Sequence, residues 1–131
     1  MKFLLLLIMI FLHIVDDYRL QGILASLKQK SWWKENAPDE LYKYDYIIAL
    51  FMHSFSWAFM IMIVPSIYLL TRLDNMRKSV ILISIFLIVN LFMHMHVDDL
   101  KANRKRINLF GDQLLHLLQI VDTWTFLILL N

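Results

Sequence analysis

Four apolar runs alternate with three polar stretches along this 131-residue chain. The runs cover about residues 3–27, 45–70, 79–99 and 109–130. A helix needs about 20 apolar residues to cross a hydrocarbon layer, so the pattern predicts four spanning helices. Short connections make consecutive helices antiparallel neighbours. The expected fold is all-α: an integral membrane four-helix bundle forming a single domain over residues 1–131. Pro38 and Asp39 predict a break and cap before the second run, and Pro65 predicts a kink within it.

The polar positions inside the runs are periodic. Residues 3–12 are uniformly apolar, and then His13, Asp17 and Gln21 follow at i, i+4 and i+8. That spacing makes one stripe of the first helix polar in its second half. The third run ends in NLFMHMHVDDLK, Asn90 to Lys101, with His94 and Asp98 four apart and Asn90 one step back on the same face. The fourth run opens with the same pair reversed, Asp112 and His116, and His53 lies early in the second. His96, two residues from His94, points to another face and is left out. HIVDD at 13–17 and HVDD at 96–99 echo each other, over too short a stretch to establish a repeat.

Charge sets the orientation. The first loop mixes Lys28, Lys30, Lys34 and Lys43 with Trp32, Trp33, Tyr42 and Tyr44, the composition of a headgroup-level segment. Together with Lys101, Arg104, Lys105 and Arg106, loops 28–44 and 100–108 hold eight basic residues; Lys2, Arg72, Arg77 and Lys78 lie on the other side. The excess predicts that both loops are cytoplasmic and both termini outside, in a cytoplasmic (inner) membrane. His13, Asp17, His53, His94, Asp98, Asp112 and His116 then share one depth, in the cytoplasmic leaflet. Scattered structural residues have no reason to agree in depth across four helices.

Composition supports the bilayer as partner. The chain is 60% hydrophobic with mean hydropathy +0.58, more apolar surface than a soluble domain of this size hides. The net charge of +2 sits in loops, which argues against a nucleic-acid surface. Met1-Lys2 followed by FLLLLIMIFL looks like a signal peptide, but no small-x-small cleavage site follows, so the run is taken as a retained first helix.

The absence of Cys excludes disulfides and thiolate ligands. Four His and three Asp offer nitrogen and oxygen donors that suit Zn best, then Mn or Fe, and Ca or Mg poorly. Seven ligands exceed the needs of one tetrahedral ion, so one or two divalent ions are expected. Ion pairs about 3.5–4 Å apart are typical of phosphoester and amide hydrolysis. Asp16, Gln21, Asp99, Lys101 and Gln113 are placed around the ligands as orienting groups. Lys101 and Arg104 to Arg106 stand near the mouth, where an anionic headgroup or lipid-linked phosphate would arrive, although Arg104, Lys105 and Arg106 also read as ordinary positive-inside residues. A lone His/Asp pair is as well explained by a local salt bridge; three at one depth favour a site. The rival readings are an ion or proton pathway, possibly homo-oligomeric, a haem protein, and a structural or regulatory membrane protein. The outer leaflet offers a pathway only Asp122, Thr123, Ser66 and Ser84.

The ordered motifs His13-x3-Asp17-Tyr18-x2-Gln21, His53, His94-x3-Asp98-x2-Lys101 and Phe110-x-Asp112-Gln113-x2-His116 cover most of the chain. In this order they resemble a family of small phage and prophage membrane proteins, the domain of unknown function 3307 family. Tyr18 stands where that family usually has Phe. The family is similar to membrane-bound metal-dependent hydrolases and, more remotely, to the helical zinc-dependent phospholipase C and nuclease group. The resemblance implies metal-dependent phosphoester hydrolysis without identifying a substrate.

Overall fold

The computed structural model describes residues 1–72 and 74–131, and these are all-helical with no strand among them. Helix α1 covers Lys2–Val15 and continues as a π turn, Asp16–Leu20. Two short helices follow, α2 (Leu24–Leu27) and α3 (Lys30–Asn36), then a 3-10 turn at Glu40–Tyr42. The long helices α4 (Asp45–Arg72) and α5 (Met76–Ala102) come next. Helix α6 (Leu109–Trp124) also ends in a π turn, Thr125–Leu129.

Local chemistry explains the boundaries. Asn75 Oδ1 accepts the Lys78 N–H at 3.0 Å, and Asn108 Oδ1 accepts the Gly111 N–H at 2.9 Å, so an Asn side chain caps both α5 and α6. Pro65 lies inside α4, which runs on through it. One expectation needs correcting: the first run is not a continuous helix to residue 27. The Gln21 N–H donates to Asp16 O at 3.1 Å, closing the π turn, and Gly22 then takes φ +49°. A left-handed residue cannot extend a right-handed helix, so the chain turns there. It returns across the end of the bundle through α2 and α3, where Trp33 Nε1 donates to Leu27 O at 2.7 Å.

The four long elements enclose one interior. Helix α4 packs on α5, α1 on α4, and α6 on both α5 and α1. Neighbours run antiparallel: Lys2 O accepts from Trp124 Nε1 at one end, while His13 meets Gln113 at the other. The half of the interior nearest the termini is apolar, filled by Leu6, Met9, Ile61, Leu69, Leu91, Ile120, Leu127 and Ile128. The opposite half is polar, and Trp57, fully buried, sits at the boundary.

The outer surface reverses the usual soluble pattern. Leu7 and Phe11 on α1, Phe51, Phe55 and Phe59 on α4, Ile85, Ile88 and Phe92 on α5, Leu114 and Leu118 on α6 and Phe126 in the π turn after it are all exposed. Two helical stretches, Glu40–Arg72 and Met76–Ala102, are long and apolar enough to cross a membrane.

Candidate metal centre

Helical spacing brings one face of each helix into the polar half. All seven residues singled out from the sequence lie there, each less than a tenth exposed. Asp17 comes from the π turn. That turn also buries Asp16, because a wider turn brings consecutive residues closer to a common face.

His53 and His94 direct their Nε2 atoms at each other and at carboxylates, and His116, stacked on His94, directs its Nε2 at carboxylates alone. His53 Nε2 lies 3.2 Å from His94 Nε2 and 3.3 Å from both Asp17 Oδ1 and Asp98 Oδ2. His94 Nε2 lies 3.9 Å from Asp17 Oδ1 and 3.8 Å from Asp98 Oδ1. His116 Nε2 lies 3.4 Å from Asp98 Oδ1 and from Asp112 Oδ1. Two ligand groups emerge, Asp17–His53–His94 and His94–Asp98–His116, with His94 common to both. These buried groups could hold a metal ion, although they also lie within ion-pair range of one another.

Short distances without hydrogen-bond geometry mark the centre. Asp17 Oδ1, Asp112 Oδ1 and His116 Nε2 are buried and have no hydrogen-bond partner among the described residues. Leaving such atoms unpaired costs about 1–3 kcal/mol each. A cation held by Asp17, His53 and His94, or by His94, Asp98 and His116, would satisfy atoms of this kind; Asp112 belongs to neither group, and its Oδ1 faces His116 Nε2 at 3.4 Å. Metal–ligand bonds of about 2.0–2.1 Å at tetrahedral angles place ligand atoms about 3.3–3.4 Å apart, close to the shorter separations here. Charge points the same way. Asp16, Asp17, Asp98 and Asp112 bring four carboxylates, and Lys28 and Lys101 two ammonium groups. With the carboxylates ionised and the imidazoles neutral, the balance matches one divalent cation.

His13 has a different place from the one expected of it. Trp57 Nε1, which can only donate, donates a hydrogen bond to His13 Nδ1 at 2.7 Å. Neutral His13 therefore carries its proton on Nε2 and donates to Gln113 Oε1 at 3.1 Å. Gln113 Nε2 in turn donates to Asp17 Oδ2 at 3.3 Å and Asp112 Oδ2 at 3.1 Å. Both nitrogens of His13 are engaged, so it orients the centre through Gln113 rather than offering a free ligand atom. Asp112 contributes to the cluster through Oδ1, facing His116.

The surrounding groups separate clearly. Asp16 accepts from Ser56 Oγ at 2.6 Å, with its Oδ2 4.0 Å from His53 Nδ1. Gln21 donates to the Asp17 carbonyl and leaves its Oε1 unpartnered. Lys101 Nζ donates to Asp112 Oδ2 at 2.6 Å. Asp99 stands outside the cluster: one helix step from Asp98 turns it to the loop, where it pairs with Arg104 at 2.7 Å. His96 is exposed, away from the centre. Asn90 joins a separate polar knot one turn deeper, donating to Thr123 Oγ1 at 3.0 Å and accepting from Gln119 Nε2 at 2.8 Å.

Two participants were missed in the sequence. Trp57 stacks on His94 with ring centroids 4.1 Å apart; its position four residues after His53 was the available signal. Lys28 Nζ donates to Asp98 Oδ2 at 2.6 Å with its side chain 13% exposed. No periodicity announces it, because the chain turns at Gly22 before reaching it. Comparison with protein families, curated proteins and solved structures finds no match to this chain.

Proposed function

We propose that the protein is a four-span integral membrane hydrolase that uses one or two divalent ions, zinc foremost, to cleave a phosphoester at the loop end of the bundle. The observation that carries this reading is the set of buried nitrogen and oxygen atoms that face one another without hydrogen-bond partners. A bound zinc-type ion supplies Lewis acidity and a water ionisable near neutral pH. Imidazole and carboxylate without sulfur favour zinc over calcium or magnesium.

The substrate class follows from the way in. A cleft of about 450 Å³ opens at the loop end, and Gln21, Lys28, Gln29, Asp98, Lys101 and Lys105 line it. Three lysines above a buried ligand carboxylate select an anion. The resemblance to the phage-type family and its hydrolase relatives points toward the same chemistry. A metal-ion or proton pathway is the weaker reading, because Leu69, Leu127 and Ile128, each 0% exposed, close the interior beyond the Asn90 knot.

The membrane assignment rests on the apolar exterior of all four helices. With their π turns, α1 covers 19 residues and α6 covers 21. At about 1.5 Å per residue both approach the thickness of the hydrocarbon core, about 30 Å. On the positive-inside rule the excess of basic residues supports loops 28–44 and 100–108 in the cytoplasm and both termini outside.

The test is direct. The protein is purified in detergent without chelator, its metal content is measured by elemental analysis, and hydrolysis of a chromogenic phosphodiester and a short-chain phospholipid is followed. Stoichiometric metal and chelator-sensitive turnover are expected. Failure to take up Zn, Mn or Fe, even after reconstitution, overturns the proposal.

A further inference from the structure

The lysines of the cleft are arranged around the two carboxylates that face His116, those of Asp98 and Asp112. Asp98 and Asp112 each turn Oδ1 toward His116 Nε2, at 3.4 Å, and Oδ2 toward a lysine, at 2.6 Å. Lys28 reaches Asp98 from the segment beyond Gly22, and Lys101 reaches Asp112 from the last turn of α5. Both ammonium groups therefore stand at the floor of one cleft, held by carboxylates that also face the metal centre. Lys105 lines the same cleft and makes no ion pair among the described residues. Its backbone has φ 51°, in the left-handed region that non-glycine residues seldom adopt. Strain of this kind concentrates at functional positions. Gln21 Oε1, unpartnered and buried, completes the wall.

We infer that Lys28, Lys101 and Lys105 form a phosphate-binding clamp whose availability depends on metal occupancy. This rests on the proposed metal site and adds a regulation to it. Without metal, Lys28 and Lys101 neutralise Asp98 and Asp112. A cation bound by the inner oxygens of those carboxylates takes over that neutralisation and weakens the hold on the ammonium groups. The lysines then turn to a phosphoryl group entering the cleft. By linkage, the anion strengthens metal binding by the same factor as metal strengthens anion binding.

The full chain in detergent, titrated with Mn²⁺ by electron paramagnetic resonance, tests this with and without inorganic phosphate. A second arm replaces phosphate with vesicles of phosphatidic acid in phosphatidylcholine, which separates a lipid-borne phosphate from a free one. Phosphate in one of these forms should tighten Mn²⁺ binding by about 5- to 150-fold, the range of typical site–site coupling. Neutral phosphatidylcholine vesicles should not. The double variant K28M/K101M should lose the coupling, read as the ratio of its Mn²⁺ affinities with and without phosphate, while K28R/K101R should restore it. Should K28M/K101M fail to fold, K105G, which removes one clamp charge and leaves both carboxylate pairs intact, must reduce the coupling. Mn²⁺ binding that neither phosphate form alters overturns the clamp and leaves the metal site standing. No Mn²⁺ binding at all overturns both.

Discussion

His13 and His94 look alike in the sequence, each four residues before an aspartate, but the geometry predicts opposite consequences when each is replaced by alanine. His13→Ala removes the partner of buried Trp57 Nε1 and of partly buried Gln113 Oε1. At about 1–3 kcal/mol for each orphaned group, the metal-free protein should lose about 2–6 kcal/mol of stability. Its metal affinity should fall only by the 10- to 100-fold typical of an orienting residue, about 1.4–2.7 kcal/mol.

His94→Ala should do the reverse. His94 is common to both ligand groups, yet among the described residues its only hydrogen-bonding contact is His53 at 3.2 Å. The stacking lost against Trp57 is worth about 0.5–1.5 kcal/mol. Dividing about 10–16 kcal/mol of structural zinc binding over four ligands gives about 2.5–4 kcal/mol for one ligand, about a 60- to 700-fold loss of affinity. Thermal unfolding in chelator measures the first quantity, and titration with Co²⁺, read from its visible absorption, measures the second. The crossed pattern is the prediction. If His13→Ala abolishes Co²⁺ binding as fully as His94→Ala while the metal-free melt is unchanged, His13 is a ligand and the chain from Trp57 to Gln113 does not hold it.

Further outcomes follow from the same contacts. Removing the ion from protein held at one hundred times its dissociation constant should cost about 2.7 kcal/mol, seen as a lower melting temperature in chelator; an unchanged melt would argue against a bound ion. Asp98→Asn strips charge from the group that meets Lys28, His53 and His116, and breaking a buried pair should cost about 3–5 kcal/mol in unfolding measurements on the metal-free protein. Adding Lys28→Met should recover part of that loss, and a double variant no more stable than Asp98→Asn would deny the pairing. Gly22→Ala should cost about 1–2 kcal/mol through backbone conformation alone, since the nearest atom to the new Cβ is Leu20 O at 3.9 Å. A melt within error of wild type would show that the turn tolerates a side chain.

The divide between what the sequence disclosed and what it concealed runs along the reach of local periodicity. His94 with Asp98 and Asp112 with His116 were legible because a helix places i and i+4 on one face, and α5 and α6 are regular where those pairs lie. Asp99 was misplaced by extending that logic to a neighbour on a different face, and its partner Arg104 lies just beyond the helix end. In the first run the rule itself changes, since Asp16–Leu20 is a π turn that buries Asp16 as well as Asp17. Beyond that turn, Gly22 redirects the chain and delivers Lys28 to Asp98, a contact across 70 residues that no local pattern encodes. His13 shows a further limit: its spacing to Asp17 is that of a ligand pair, and only the indole of Trp57, on another helix, claims the nitrogen a metal would need. Spacing tells which residues can share a face. Which atoms remain free for an ion depends on the donors that neighbouring helices bring, and here those donors leave His53, His94 and His116 as the imidazoles open to the centre.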